Sequence, residues 1–214
     1  MIKNIIFDMD GVIREIKNAP ISELLPEDLK EKYKDLYDNK RLCDIVAKYI
    51  NLDCFKEWDK GNVSAEYVYN TLLENSSEPK EAVKYIFGAP LTKEYNIIYP
   101  ETIKLISSLK VKGYKIFILS NMSSEIVEIL KQLIDMSLFE DVVFSCDVGL
   151  RKPDPKFYKY ALDRWEIEPN ESIFIDDNPK NLPPFENLGV KCFLFDNSNI
   201  TTTIENFKSL ISNS

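Results

Sequence analysis

Five times along the chain a short apolar run ends at an oxygen-bearing side chain, and this repetition constrains the fold more than any other sequence feature. Ile5-Ile6-Phe7 precedes Asp8, Ile116-Phe117-Ile118-Leu119 precedes Ser120-Asn121, and Val142-Val143-Phe144 precedes Ser145. Ile173-Phe174-Ile175 then leads into Asp176-Asp177-Asn178, and Cys192 to Phe195 into Asp196. Uninterrupted apolar runs of this length suit strands buried on both faces, as in a parallel sheet. Helical patterns separate them: Glu101 to Lys112, ending at Gly113, Ser124 to Ile134, and Pro155 to Trp165. Strands alternating with helices predict right-handed βαβ units and an open, mainly parallel α/β sheet flanked by helices. Ligands of such sheets bind beyond the carboxyl ends of the strands, so polar residues far apart in sequence converge on one crevice.

The stretch from Glu15 to Tyr95 reads differently. Pro26 to Tyr37, Arg41 to Ile50, Leu52 to Trp58, Ala65 to Leu73 and Pro79 to Phe87 carry helical patterns with no strand between them. Ser64 is a good N-cap after Gly61-Asn62, and Gly88-Ala89-Pro90 is a stop. The expected organisation is a core of residues 1–14 and 95–214, interrupted by a helical insert at 15–94. Its aromatic residues Tyr33, Tyr37, Trp58, Tyr67, Tyr69 and Tyr85 read as packing. The Ser/Thr/Asn-rich tail after Asn197 reads as low-complexity.

Composition narrows the chemistry. A net charge of −8 argues against nucleic acid or an anionic membrane as partner, since both need clustered cations. The chain has no His, which removes Ser-His-Asp and Cys-His catalysis together with most catalytic zinc sites. Cys43, Cys54, Cys146 and Cys192 form no C-x-x-C and read as reduced, buried thiols. The apolar start is broken at Asp8, too early for a signal peptide, and no run reaches membrane length, so a cytoplasmic location is expected.

Asp8-x-Asp10 alone is a weak signal, because 16 Asp in 214 residues give about 1.2 such pairs by chance. Requiring the following Gly11 reduces that to about 0.03, given six Gly in the chain. Taken singly, Ser120-Asn121 is an ordinary turn, Lys152-Pro153 a commonplace loop, and Asp176-Asp177-Asn178 a helix N-cap. Their order changes the reading. Asp8-Met9-Asp10-Gly11-Val12, Ser120-Asn121, Lys152-Pro153-Asp154-Pro155 and Asp176-Asp177-Asn178 resemble the four motifs of the haloacid dehalogenase-like superfamily. Through "GLRKPDPKFYKYAL" and "FIDDNPKNL" the chain is similar to the branch holding sugar-phosphate phosphatases and the N-terminal domain of soluble epoxide hydrolase.

The resemblance implies a Rossmann-like core with a helical cap between the first and second motifs. It implies that Asp8 is the nucleophile and Asp10 the general acid and base. Ser120, Asn121 and Lys152 would bind the transferring phosphoryl group, with Lys152 preferred over the neighbouring Arg151. A carboxylate can attack phosphorus and split one hard hydrolysis into two easier steps. Four carboxylates in one crevice repel unless a cation intervenes, and oxygen-only donors favour Mg²⁺ over Zn²⁺. The implied ligands are Asp8, the main-chain carbonyl of Asp10, and Asp177, with Asp176 behind them. The implied activity is Mg²⁺-dependent hydrolysis of a small phosphomonoester, such as a sugar phosphate, by a monomer or homodimer. Dehalogenation is disfavoured because Asp10 is present. Alternatives are a phosphomutase, a phospho-accepting signalling protein, or a fold that has lost catalysis.

Overall fold

A computed structural model describes residues 1–212; residues 213 and 214, part of the expected core, lie outside the described residues. The chain opens with β1 (Asn4–Phe7) and β2 (Arg14–Ile16), followed by seven helices. These are α1 (Ile21–Leu24), α2 (Glu27–Lys32), α3 (Lys34–Tyr37), α4 (Leu42–Tyr49), α5 (Asp53–Asp59), α6 (Ala65–Asn75) and α7 (Lys80–Gly88). β3 (Asn96–Ile98), α8 (Pro100–Val111), β4 (Lys115–Ser120), α9 (Ser124–Leu130), β5 (Asp141–Phe144) and α10 (Ser145–Val148) follow. The chain continues through α11 (Pro155–Trp165), β6 (Ser172–Asp176), α12 (Leu182–Glu186), β7 (Lys191–Leu194) and α13 (Ile200–Ser212).

Five strands form one parallel sheet in the order β5-β4-β1-β6-β7, the Rossmann-like arrangement expected. Alternation along the strands feeds two separate cores. Ile5 and Phe7, Ile116 and Ile118, and Ile173 and Ile175 pack with α8 and α13 on one face. Ile6, Phe117, Leu119 and Phe174 pack with α11 and α12 on the other. A parallel sheet covered on both faces explains why its strands read as unbroken apolar runs.

One expectation needs correction. The segment after Asn197 is helical over Ile200–Ser212: Ile204, Phe207 and Ile211 of α13 are buried against the sheet, and Thr203 is buried with them. At the passage between core and insertion β2 and β3 pair antiparallel, Arg14 opposite Ile98 and Ile16 opposite Asn96. Every described element between these two strands is helical. The insertion has apolar clusters of its own. One joins Ile21, Tyr37, Leu42, Ile45 and Ile86; the other joins Cys54, Trp58, Val68, Leu72 and Val83.

Away from the β2–β3 ribbon, polar contacts of Glu125, Ser145 and Arg151 tie the insertion to the sheet domain. Glu125 of α9 accepts from Trp58 Nε1 at 2.9 Å and from the main-chain N–H of Ala65 at 3.2 Å. Ser145 Oγ donates to the Asp59 carbonyl at 2.5 Å, and Arg151 Nη2 lies 3.0 Å from Asp59 Oδ2. Gly61 is fitted to this junction. Its φ is +74°, and a Cβ there would sit 2.7 Å from the Cys146 carbonyl oxygen. No described helix is long and apolar enough to cross a membrane.

Candidate active site

The crevice lies where β1, β4 and β6 end, three adjacent strands in register. Asp8 follows β1 and is buried. Its Oδ1 accepts three hydrogen bonds: from Met9 N at 2.7 Å, Ser120 Oγ at 2.7 Å and Lys152 Nζ at 2.8 Å. None of the three goes to Oδ2, which leaves that oxygen as the one to meet an incoming group. Lys152 is 2% exposed, and its ammonium also lies 2.6 Å from Asp176 Oδ2. One buried cation therefore bridges two buried carboxylates.

Burial sets the electrostatics. It pushes the Asp8 carboxyl well above its ordinary range, Lys152 pulls it back, and Asp176 raises it further. Burial works against the Lys152 ammonium, but Asp8 and Asp176 outweigh it and hold its pKa above the ordinary value. Asp177, half-buried, is pushed up to about 6 by burial and by Asp176. The carboxylate oxygens of Asp8, Asp176 and Asp177 lie within 4.8 Å of one another, a donor set of hard oxygens suited to a divalent cation. Gly11 shows how tightly the chain is drawn around it. A Cβ at Gly11 would fall 2.0 Å from Asp177 Oδ2, and the φ of +74° favours glycine independently.

The two acids of the Asp176-Asp177 pair are not equivalent. Asp176 is wholly buried and accepts from Asn178 N at 2.8 Å, from Asn181 Nδ2 at 3.0 Å on each oxygen, and from Lys152. A carboxylate has about four acceptor sites, so these bonds saturate it. Asp177 has a single weak side-chain donor, Asn197 Nδ2 at 3.3 Å, and is the freer ligand.

Asn121 is anchored on the third motif. Its Oδ1 accepts from Lys152 N at 2.7 Å and its Nδ2 donates to Lys152 O at 3.0 Å. The side-chain amide thus ties the Lys152 main chain to the end of β4. Arg151, the rival cation, turns away to Asp59. The thiols are less uniformly buried than expected: Cys54 is buried, whereas Cys43, Cys146 and Cys192 are only partly so. Burial still raises all four, Cys146 to about 11 and Cys192 to about 12, so none is a ready thiolate.

Sequence reasoning missed Arg14. This residue is wholly buried at the start of β2; its Nη1 ion-pairs with Asp10 Oδ1, and its Nε donates to Asn96 Oδ1 of β3 at 2.8 Å. Its Nη2 has no partner among the described residues. The Asp10 carboxylate, 49% exposed, therefore stands apart from the other acids and is oriented from the β2–β3 ribbon. Asp10 and Arg14 also line a cavity of about 100 Å³ that runs into the insertion. Asn121, Met122 and Ser123 complete the core side of its wall. Trp58, expected as packing, is both packed and cavity-lining.

The comparisons agree with this geometry. A family model described as haloacid dehalogenase-like hydrolase matches residues 2–189. Pyrophosphatase PpaX of Bacillus cereus is 27% identical over 191 residues, 89% of this chain and 81% of that protein. Bifunctional epoxide hydrolase 2 of Sus scrofa is 35% identical over 120 residues, 53% of this chain. The matched part is 21% of that pig protein and 17% of its rat counterpart, so the chain corresponds to a small portion of each. A HAD-like family hydrolase structure from Porphyromonas gingivalis superposes with a TM-score of 0.68 at 24% identity, covering 99% of this chain and 98% of that one. A HAD family enzyme from Bacteroides thetaiotaomicron, in complex with magnesium and inorganic phosphate, gives 0.65 at 18% identity, covering 92% and 95%. Ordered motifs, parallel sheet and family match converge: the chain belongs to the haloacid dehalogenase-like hydrolases.

Proposed function

We propose that the protein hydrolyses a small phosphomonoester through an aspartyl-phosphate on Asp8, with Mg²⁺ as cofactor. The observation that carries this reading is the Lys152 ammonium, 2.8 Å from Asp8 and 2.6 Å from Asp176, beside three clustered carboxylates. Such a site is built to gather a phosphoryl dianion against a carboxylate. Asp8 and Asp177, with the Asp10 carbonyl, would hold the metal, and Asp176 would stand behind them because its acceptors are filled. Bound Mg²⁺ would supply the positive charge that lets a phosphate approach Asp8.

In the first step Asp8 Oδ2 attacks phosphorus, and the bond from phosphorus to the ester oxygen breaks. Asp10 gives its carboxyl proton to the departing alkoxide. In the second, the Asp10 carboxylate takes a proton from water as that water attacks the phosphorus of the acyl phosphate. Inorganic phosphate leaves and the Asp8 carboxylate returns. Ser120 Oγ orients Asp8, Lys152 neutralises the transferring group, and Asn121 fixes the Lys152 main chain. The insertion at 15–94 acts as a cap, with hinges at the crossings Ile13–Ile16 and Tyr95–Pro100, and excludes water during transfer. Four free thiols suit a reducing compartment such as the cytoplasm.

Phosphate release from p-nitrophenyl phosphate, with Mg²⁺ and with EDTA, tests the reading. Release that needs Mg²⁺, together with one phosphoryl group on the Asp8 peptide after acid quench, is the expected result. Asp177→Asn should raise the Mg²⁺ concentration required. Turnover unaffected by EDTA, or a label elsewhere, would refute the scheme.

A further inference from the structure

The cavity described above is unlike the crevice it joins. At its core end it touches Asp10, Arg14 and Asn121. The rest is lined almost entirely by apolar side chains of the insertion, among them Val46, Phe55, Trp58, Leu72, Val83 and Phe87. Polar groups on its wall are few. Glu78 is committed to Tyr37 and Lys48, and Asp59, also on the wall, is paired through Oδ2 with Arg151. Three lining residues each bury a side-chain atom that has no partner among the described residues: Arg14 Nη2 and Ser123 Oγ on the core side, and Ser76 Oγ in the insertion.

We propose that this cavity receives the leaving group and that the substrate is the phosphomonoester of a small apolar alcohol, alkyl or aryl, not of a sugar. The inference rests on the phosphatase reading given above. A polyol placed against this mainly apolar lining would lose its water and regain few hydrogen bonds, and each unmade hydroxyl weakens binding by about tenfold or more. An alkyl chain gains instead, by about fourfold for each methylene withdrawn from water. The size is limited as well. A dry apolar cavity of about 150 Å³ accepts a benzene ring, so a volume near 100 Å³, open to the crevice, takes about four carbons. Arg14, paired with Asp10 at the core end of the cavity, fixes the acid beside the ester.

The test is kcat/KM for n-alkyl phosphates from ethyl to octyl, with glycerol 1-phosphate set against propyl phosphate. The expected result is a rise of about fourfold per carbon, flattening near butyl, and a preference for propyl over glycerol of about tenfold or more. Two variants move the break in opposite directions. Val46→Phe narrows the cavity from a half-buried position and should bring the plateau to a shorter chain. Leu72→Ala widens it and should carry the plateau to a longer one. Thermal melts establish that each variant is folded. Glycerol 1-phosphate turned over as well as propyl phosphate, or a plateau unmoved in both variants, would overturn the inference while leaving the hydrolase reading intact. Phosphate released from no ester would overturn both.

Discussion

The floor of the crevice and the wall of the cavity are built on opposite rules. On the floor nearly every polar atom is spent: Lys152 on Asp8 and Asp176, Asp176 on Asn178 and Asn181, Asn121 on the Lys152 main chain. On the wall the apolar side chains set the shape, and among the few polar groups Ser76 Oγ, Ser123 Oγ and Arg14 Nη2 have no partner among the described residues. The floor has one geometry because moving any member breaks several bonds. The wall can change residue by residue, because apolar neighbours of similar size exchange at little cost. Reaction type belongs to the first region and choice of substrate to the second.

The sharpest way to break this contrast is at Asp8. Asp8→Asn should lower turnover by about 10⁴-fold or more, since nothing else on the floor can form the acyl phosphate. Its melting temperature should barely move, because burial already disfavours the charged form. A variant with near-normal turnover would remove Asp8 as nucleophile. Next in size, Lys152→Met should cost about 3–5 kcal/mol of stability in urea unfolding, because two buried carboxylates lose their shared cation. A loss below about 1 kcal/mol would mean that the floor is less tightly coupled than its bonds imply.

Asp10 sits on the border between the regions and should behave accordingly. An alkoxide needs a proton to leave, whereas p-nitrophenolate barely does. In single-turnover release, Asp10→Asn should lose about 10²-fold more on butyl phosphate than on p-nitrophenyl phosphate. Equal losses would leave Asp10 without its role as acid.

The smallest effect is expected at the latch. The Asp59 carboxyl is pushed up to about 6, by burial first, against an ordinary 3.8, with Arg151 opposing. A raised carboxyl favours the folded state below the unfolded pKa and loses that contribution as pH rises through the folded one. Wild-type stability minus that of Asp59→Asn should therefore fall between pH 4 and 7, by about 2 kcal/mol. Urea unfolding across that range measures it, and a flat or rising difference would contradict the assignment.

The parallel sheet was readable because both its faces are covered, which writes each strand as an apolar run. β2 and β3 were not. Each is three residues long, and their Arg14, Glu15 and Asn96 carry no apolar signal. The final helix was hidden by composition. Its Thr, Ser and Asn residues suggest a tail, although Ile200, Ile204, Phe207 and Ile211 keep helical spacing. Of the site, Asp8, Asp176, Asp177, Ser120 and Lys152 were legible through their motifs, and the structure brings them together. Arg14 was not, since a buried cation is recognised only by the partners that fold around it. Trp58, Phe55 and Phe87 pack against one another, as their pattern suggests, yet their outer edges line a void that no periodicity records.

The strand order has a consequence for how the molecule is made. β1 is synthesised first but occupies the middle of the sheet, with Asn4 paired to Lys115 on one side and Ser172 on the other. At the usual pace of ribosomes, about 5–20 residues per second, the second flank arrives some ten to thirty seconds after the first residues emerge. Until then Asp8 has neither Asp176 nor the enclosing β6, and one edge of its strand is bare. The nascent chain thus carries Asp8 long before it has a site, and the strand that brings in the acid pair is also what seals the edge. A ribosome-stalled chain ending before Ser172 should be protease-sensitive along β1, and one extended past α12 resistant.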